Sequence, residues 1–173
     1  MNPAKSKQGY IKNKLVSLAV QFVVLILLYA GIQMYFKRDM PSGTAPDIRG
    51  LTLDGGRFSL SDLAGQPVLV HFWASWCRIC QFEHSTIDSI SEDYAVLTVA
   101  TQSGSRKNVS DYVIEHKITA PVMVDEHGSW SKIYGIKAFP TTFVLNPDGS
   151  ISNIEVGYTS EWGLRFRLWL SSL

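Results

Sequence analysis

The sequence has little cysteine: Cys77 and Cys80 are the two thiol residues of the 173-residue chain. Because both lie within one C-x-x-C motif, no disulfide within the chain can join distant segments. A disulfide that closes so short a loop would stabilise the fold by roughly 2 kcal/mol through loop entropy. A purely stabilising role therefore explains the pair poorly, and a chemical role explains it better.

Metal-binding patterns and basic clusters are also scarce. The four histidines, at positions 71, 84, 116 and 127, show no H-x₃₋₅-H spacing, so a zinc knuckle would lack its second ligand pair. Residues 39–173 carry ten Lys or Arg against fifteen Asp or Glu, a net charge of −5, with no basic patch. That balance argues against a nucleic-acid partner. We expect neither a bound metal nor a cofactor.

Charge is absent from one long stretch, residues 15–36, which is apolar apart from Ser17, Gln21 and Gln33. As a helix, its 22 residues would span roughly 33 Å, the thickness of the hydrocarbon core of a bilayer. Four lysines lie in residues 1–14, so the positive-inside rule predicts a cytoplasmic N-terminus, a transmembrane anchor and an external remainder. A cleaved signal peptide is the alternative, but its apolar region is typically shorter.

The rest of the chain has the pattern of one α/β domain. Residues 37–46 contain Pro, Gly and Ser and indicate a linker, and residues 47–173 are enough for a domain with its own core. Alternating strand and helix patterns predict an α/β sandwich with a mixed sheet, opened by a hairpin with an Asp54-Gly55 turn. The predicted strands are 48–53, 57–60, 68–73, 95–100, 121–124, 141–145 and 150–156, and the predicted helices are 77–94, 109–117, 129–134 and 160–170.

The most informative stretch is residues 68–84, VLVHFWASWCRICQFEH. Its first half is an apolar run that suits a strand buried on both faces, and its second half has helical character. Cys77 and Cys80 would lie in the first turn of that helix, close enough for a disulfide. Unpaired N–H groups, the helix dipole and the neighbouring Arg78 all favour a thiolate at Cys77. We expect Cys77 to be the nucleophile and Cys80 the resolving thiol of a redox-active disulfide.

FWASWCRIC resembles the FWAxWCxxC signature of the thioredoxin superfamily. WCRIC followed by QFEH is most similar to its membrane-anchored thiol–disulfide proteins. That group includes the TlpA, ResA and CcmG types of cytochrome c maturation and the suppressor-of-copper-sensitivity type, ScsD. The resemblance covers residues 45–173 and implies a thioredoxin fold with an N-terminal β-hairpin and a central insertion. It also implies disulfide-containing client proteins and electrons supplied by a membrane reductant transporter of the DsbD type.

The same resemblance implies roles for residues around the cysteines. Phe139-Pro140-Thr141 is similar to the loop that faces the C-x-x-C motif, whose proline is cis and whose backbone can pair with an extended client. Glu83 stands where the anchored group commonly has a glutamate and would be the base for Cys80, with a solvent-exposed helix glutamate as the alternative. Trp76 would form a flat apolar wall beside Cys77.

His71, six residues before Cys77, occupies a position that is typically a buried aspartate in cytoplasmic-type thioredoxins. A titratable group beneath the motif can carry the proton of Cys80, so His71 is a second candidate for acid–base chemistry. The alternative is a core histidine that is hydrogen-bonded to the backbone. His84, about two turns beyond Cys77, is expected to pack.

These inferences predict a protein thiol–disulfide oxidoreductase of the bacterial inner membrane, with its domain in the periplasm, that reduces client disulfides. Arg78-Ile79 departs from the Gly-Pro or Glu-Pro common between such cysteines. A cation that stabilises the thiolate makes the disulfide more oxidising, which leaves the direction of electron flow open. The alternatives are a Cu(I)-binding copper-tolerance protein, since two thiolates suit Cu(I), and a thiol peroxidase. The C-x-x-C spacing argues against both.

Overall fold

The structure is a computed structural model that describes residues 3–173, with side chains from residue 14 onward. The chain divides after Arg38 into two compact units. The first contains helix α1 (Pro3–Lys37), and the predicted span 15–36 lies within it. The part Lys14–Lys37 has the length and composition needed to cross a membrane, which anchors and signal sequences share. The predicted cytoplasmic segment, residues 1–14, falls almost entirely outside the described side chains.

The second unit, residues 39–173, is described throughout. Its elements are β1 (Arg49–Leu51), β2 (Arg57–Ser59), a 3-10 turn (Leu60–Leu63), β3 (Val68–Trp73), α2 (Arg78–Ser91), β4 (Ala95–Thr101), α3 (Arg106–His116), β5 (Val122–Asp125), α4 (Ser129–Ile133), β6 (Thr141–Leu145), β7 (Ile151–Val156) and α5 (Glu161–Ser171). Strands β1 and β2 pair as the predicted antiparallel hairpin. The other five form one sheet in the order β5-β4-β3-β6-β7. Neighbours among β3, β4 and β5 run parallel, whereas β6 and β7 are antiparallel to theirs, so the sheet is mixed as predicted.

Strand β3 is the centre of the sheet, and all six of its residues are buried. Val70 and Phe72 pack into a cluster on one side of the sheet. Leu69 packs on the other side, against residues of α2 and α5. Trp73, the last residue of the strand, belongs to a third cluster that contains both cysteines. Helices α2 and α5 cover one face, and the other face is covered by α4, the 3-10 turn and residues of the segment before β1. Burial on both faces explains why the strand is apolar at nearly every position.

The segment expected as a linker packs onto the domain. Met40 and Ala45 are buried in the cluster around β3. The Ala45 N–H donates to the Gly149 carbonyl (3.0 Å), and the Gly43 carbonyl accepts from the Ile151 N–H (2.8 Å). The turn-forming residues supply the bends of this segment, but its apolar residues and backbone groups find partners in the domain. Most of the segment is therefore part of the folded unit rather than a free connection.

Helix α3 begins three residues earlier than the apolar pattern predicted, at Arg106 instead of Val109. Ser105 caps the helix: its Oγ accepts from the Asn108 N–H (3.3 Å), and the Asn108 Oδ1 accepts from the Ser105 N–H (3.0 Å). This capping box satisfies N–H groups that a helix start leaves unpaired. Its polar residues carry no hydrophobic periodicity, which is why they resembled a loop in the sequence.

Candidate active site

Cys77 lies where the chain leaves β3 and enters α2. Its N–H donates to the Ala74 carbonyl (3.0 Å), which closes a tight turn after the strand, and its extended backbone makes it the N-cap of α2. The Cys77 sulfur accepts from the Cys80 N–H (3.3 Å), one of the donors that lack an intrahelical partner. The two sulfurs form a disulfide, with the Cα atoms 5.3 Å apart. The pair thus occupies the first turn of the helix.

The two cysteines differ in their access to solvent. Cys77 is 8% exposed, whereas Cys80 is 0% exposed, so a protein client can reach only Cys77 directly. The N-terminus of α2 also directs its unpaired N–H groups and the positive end of its dipole at Cys77, which stabilises a thiolate there. Access and helix position therefore both favour Cys77 as the attacking sulfur.

Trp76 is an exposed aromatic residue immediately before Cys77. Its Nε1–H donates to the Gln102 carbonyl (3.1 Å), and its ring meets the Phe139 ring edge-on with centroids 5.7 Å apart. These contacts hold it as a fixed apolar surface. Trp73, by contrast, is buried in the cluster that contains the cysteines and is a core residue.

The Phe139–Pro140 peptide bond is cis, as the resemblance implied. Phe139 packs against the cluster that contains Cys77 and Cys80, and its ring meets that of Trp76, the residue before Cys77, so this loop lies on the side of the domain that carries the disulfide. Thr141, the first residue of β6, is fully buried, and its hydroxyl donates to a carbonyl within the same loop (2.8 Å). The Thr141 side chain is therefore not available to a client. The contact expected for this stretch was through its backbone, and the burial of this side chain does not bear on it.

Glu83 is almost fully buried, although it lies only one turn beyond Cys80. Its Oε1 accepts from the Thr159 N–H (2.6 Å), and its Oε2 is buried without a hydrogen-bond partner among the described residues. Burial disfavours the carboxylate and raises the pKa of Glu83 to about 7, against the lowering effect of the Thr159 N–H. The carboxyl group therefore gains or loses a proton near neutral pH, and it is not the solvent-exposed glutamate considered above.

The partner of Glu83 comes from a distant loop, residues 157–160, between β7 and α5. Thr159 is 76 residues from Glu83 along the chain. In the same loop, the Gly157 N–H donates to the Pro140 carbonyl (2.8 Å), so the loop joins α2 to the cis-proline segment. The role of this loop is not visible in the sequence, because a long-range contact has no periodic signature. The sequence signal in this loop is the glycine at position 157, whose φ of 90° is a backbone conformation that favours glycine.

His71 is buried in β3, opposite Thr142 of β6. Its Nδ1 lies 2.9 Å from the Thr142 Oγ1, and its Nε2 has no partner among the described residues. Burial, together with the nearby His84, lowers the pKa of His71 to about 3. The imidazole is therefore neutral at physiological pH, and it bonds to a hydroxyl rather than to the backbone considered above.

His84 packs as expected, in a small aromatic cluster between α2 and α3. Its ring meets the Trp73 ring edge-on at 4.9 Å, and its Nε2 lies 3.1 Å from the Tyr112 hydroxyl. Burial lowers the pKa of His84 to about 4, although Asp88 acts in the opposite direction. Tyr112 in turn stacks on His116 at 3.9 Å. These contacts attach α3 to the helix that carries the cysteines.

The start of α2 thus combines one accessible sulfur, one buried sulfur and a buried carboxyl group with a near-neutral pKa. Thiol–disulfide exchange requires an accessible thiolate, a second thiol to resolve the mixed disulfide and a group that removes its proton. Within residues 14–173, no three His, Cys, Asp or Glu side chains are grouped as metal ligands. The geometry favours exchange chemistry at the sulfurs.

Comparison with known proteins agrees with this chemistry. The profile of the AhpC/TSA family matches residues 41–154. A thioredoxin-like protein of Haemophilus influenzae is 31% identical over 163 residues, which cover 93% of this chain and 94% of the relative. The thiol-disulfide oxidoreductase ResA of Geobacillus thermodenitrificans is 30% identical over 152 residues, 81% of this chain and 87% of the relative. The crystal structure of StoA from Bacillus subtilis has a TM-score of 0.64 and 28% identity, covering 73% of this chain and 98% of that one.

These similarities confirm the thioredoxin fold and the thiol–disulfide chemistry that the C-x-x-C stretch predicted. They give no support to the copper-tolerance role considered above. The chain belongs to the AhpC/TSA family and, within it, to the thioredoxin-like thiol–disulfide oxidoreductases.

Proposed function

We propose that this protein reduces the disulfides of client proteins on the periplasmic side of the bacterial inner membrane, to which α1 tethers it. The observation that carries the proposal is the difference in access between the two sulfurs at the start of α2. Cys77, which retains some exposed surface, can capture a client, and the fully buried Cys80 can release it without itself being captured.

The reaction starts with both cysteines as thiols. The Cys77 thiolate attacks one client sulfur, the client S–S bond breaks, and a mixed disulfide forms while the other client sulfur leaves as a thiolate. Cys80, once deprotonated, attacks the Cys77 sulfur, and the second client sulfur leaves. The product is the Cys77–Cys80 disulfide described above. Two electrons pass to the client, and each client sulfur takes up one proton.

Glu83 is the base that we assign to Cys80. Its pKa of about 7 leaves a substantial fraction ionised at neutral pH, and its unpartnered Oε2 is the atom free to accept the proton. His71 is the second candidate, because its Nε2 is also buried without a partner among the described residues. A pKa of about 3 makes its imidazole the weaker base of the two.

The dithiol must be regenerated after each cycle. A domain outside the cytoplasm cannot draw directly on cytosolic reductant, so we assign its reduction to a membrane reductant transporter of the DsbD type. The length and composition of α1 support a lipid-spanning anchor in the same membrane. Apocytochrome c is a candidate client, since the resemblance to the ResA type implies a role in cytochrome c maturation.

Insulin-disulfide reduction tests this function. We expect Cys77→Ser to abolish reduction, because no accessible sulfur remains to attack. We expect Cys80→Ala to accumulate a client joined to Cys77, visible on a non-reducing gel, because the mixed disulfide cannot be resolved. Ser172→Ala, at an exposed position of the C-terminal segment, is the control and should retain full activity. Wild-type activity in Cys77→Ser would contradict the proposal.

A further inference from the structure

Helix α5 is apolar on two opposite faces. Leu164 and Leu168 are fully buried and pack with residues of β3 and α2 in one core cluster. The opposite face carries four exposed apolar side chains, those of Trp162, Phe166, Trp169 and Leu170. A surface helix of a globular protein usually has polar residues on the face that is turned away from the core. The outer face of α5 therefore departs from the pattern of a helix that is covered on one side only.

The four outer side chains form one continuous surface. At 3.6 residues per turn they fall within an arc of roughly 100° on the helix. The rings of Phe166 and Trp169 stack with their centroids 6.0 Å apart, and Trp162, one turn before Phe166, is 84% exposed. We define the aromatic stripe as Trp162, Phe166, Trp169 and Leu170. An exposed apolar surface of this kind is typical of an interaction site.

The two arginines of α5 are paired within the domain. Arg165 forms ion pairs with Asp93 (2.6 Å) and with Glu161 (2.8 Å), and Arg167 forms one with Glu155 (2.8 Å). The aromatic stripe itself is uncharged, and the folded domain carries a net charge of −5. Binding at the stripe therefore depends on apolar contact rather than on ion pairs, and the acidic domain does not favour an anionic surface.

A short connection joins this domain to the proposed membrane anchor. Helix α1, which has the length and composition to cross a membrane, ends at Lys37. Met40 is already buried in the domain. Three residue steps span at most roughly 11 Å, so the anchor keeps the domain at the surface of the membrane that α1 crosses. A short tether raises the effective concentration of that surface, so modest apolar contact is enough to hold the domain on it.

We propose that the aromatic stripe docks in the headgroup region of the membrane that holds α1. Tryptophan is enriched at membrane–water interfaces, because its ring is apolar while its N–H is polar. Amphipathic helices lie in the plane of that interface with their apolar side towards the acyl chains. The inference rests on the membrane tether of the proposed function and adds a second contact with the bilayer. Since the stripe is uncharged, lipids with neutral headgroups are sufficient for docking.

Quenching of tryptophan fluorescence by brominated lipid tests the docking. The full-length protein is reconstituted in phosphatidylcholine vesicles whose acyl chains carry bromine close to the headgroups. Helix α1 contains no tryptophan, so the anchor contributes no signal. We expect the emission to be lower than in vesicles without bromine. The double variant Trp162→Phe, Trp169→Phe should lose the quenched component, while Trp73, Trp76 and Trp130 continue to report on the rest of the domain.

Phe166→Ser tests the contact without removing a tryptophan. It deletes the ring that stacks on Trp169, so we expect the quenching to fall several-fold. Ile114→Ser is the control, because Ile114 lies on α3 and is also exposed, and it should retain the wild-type quenching. Adding anionic phosphatidylglycerol to the vesicles should not increase the quenching, since the docking does not depend on ion pairs.

Equal wild-type emission in brominated and plain vesicles would overturn the docking. A dimer that Phe166→Ser dissociates would also overturn it, because the stripe would then bind a second copy of the chain. Insulin reduction in detergent should stay at the wild-type level in every variant, which shows that each is folded. Release of the wild type from the vesicles at alkaline pH would contradict the tether itself, whereas loss of quenching by a retained, active protein contradicts the stripe alone.

Discussion

Glu83 and His71 are both almost fully buried, and burial favours the uncharged form of each. For a carboxyl group this raises the pKa, here to about 7 for Glu83, and for an imidazole it lowers the pKa, here to about 3 for His71. Glu83 comes close to ambient pH, where a group exchanges protons most effectively. The pKa of His71, at about 3, lies far below ambient pH. At the residue scale, the same burial therefore gives one group a near-neutral pKa, as the base proposed for Cys80 requires, and makes the other a neutral hydrogen-bonding partner of Thr142.

The raised pKa of Glu83 predicts a pH dependence of stability. The pKa is about 7 in the folded protein against 4.5 for an ordinary glutamate, so the folded state binds more protons between these values. The contribution of Glu83 to the unfolding free energy must then fall as pH rises from 4.5 to about 7. We expect the oxidised wild type to lose about 3 kcal/mol relative to Glu83→Gln over this window. Urea denaturation at several pH values measures both.

The comparison with Glu83→Gln isolates this one group. The buried histidines lower the stability as pH falls, because their pKa values are depressed, but they do so equally in both proteins. Their effect therefore cancels in the difference. Parallel stability curves for the wild type and Glu83→Gln from pH 4.5 to pH 8 would contradict the raised pKa.

At the scale of elements, the sequence predicted what depends on local pattern. The apolar run of β3 and the C-x-x-C motif at the start of α2 identified the junction that carries the chemistry. The early start of α3 escaped prediction because a polar capping box, not an apolar stripe, begins that helix. The bond between Glu83 and Thr159 escaped it because the two residues meet only in the folded chain. Local sequence thus predicts where the two reactive cysteines lie, whereas tertiary packing determines the burial, the hydrogen bond and therefore the pKa of Glu83.

The N-terminal segment is held to the domain at Gly135, just after α4. Gly135 has φ of 64°, and a Cβ there would lie 2.7 Å from the Asp39 carbonyl carbon and 3.1 Å from the Met40 Cα. We expect Gly135→Ala to destabilise the protein by about 1 kcal/mol for the backbone conformation, and by about 1 to 3 kcal/mol more for the forced contact. Urea denaturation at pH 7 measures the loss.

Gly55, in the hairpin turn, is the matched control. Its φ of 89° also lies in the positive range that disfavours alanine, but a Cβ there would meet no atom within 4 Å. Gly55→Ala should therefore show only the loss that comes from backbone conformation. Equal destabilisation in the two variants would mean that Gly135 does not hold the segment against the domain.

At the scale of the whole molecule, two units of different character share one chain. Residues 1–38 carry six Lys or Arg and no acidic residue, whereas residues 39–173 carry a net charge of −5. Basic residues before an apolar span and an acidic folded unit after it are what the positive-inside rule associates with an external domain. Cys77 provides a natural probe of that orientation, because it is the one cysteine with exposed surface in the folded unit.

Labelling of Cys77 in cells tests the orientation. We expect a membrane-impermeant maleimide to label the reduced protein in intact spheroplasts as fully as after lysis, since a periplasmic Cys77 is already accessible. Cys77→Ser should label much less, because Cys80 is 0% exposed. In a protein without native cysteines, Lys5→Cys should label only after lysis. Labelling of Cys77 that requires lysis would place the domain in the cytoplasm and contradict the proposed location.

The loop of residues 157–160 has a thermodynamic consequence for the reaction cycle. In this loop the Tyr158 side chain is exposed, while the Thr159 N–H donates to Glu83 Oε1. Any displacement of the loop that lengthens this hydrogen bond removes stabilisation from the ionised form and increases the proton affinity of Glu83. Such linkage is reciprocal, so protonation of Glu83 in turn favours the displaced loop. The position of the loop and the protonation of Glu83 are therefore coupled.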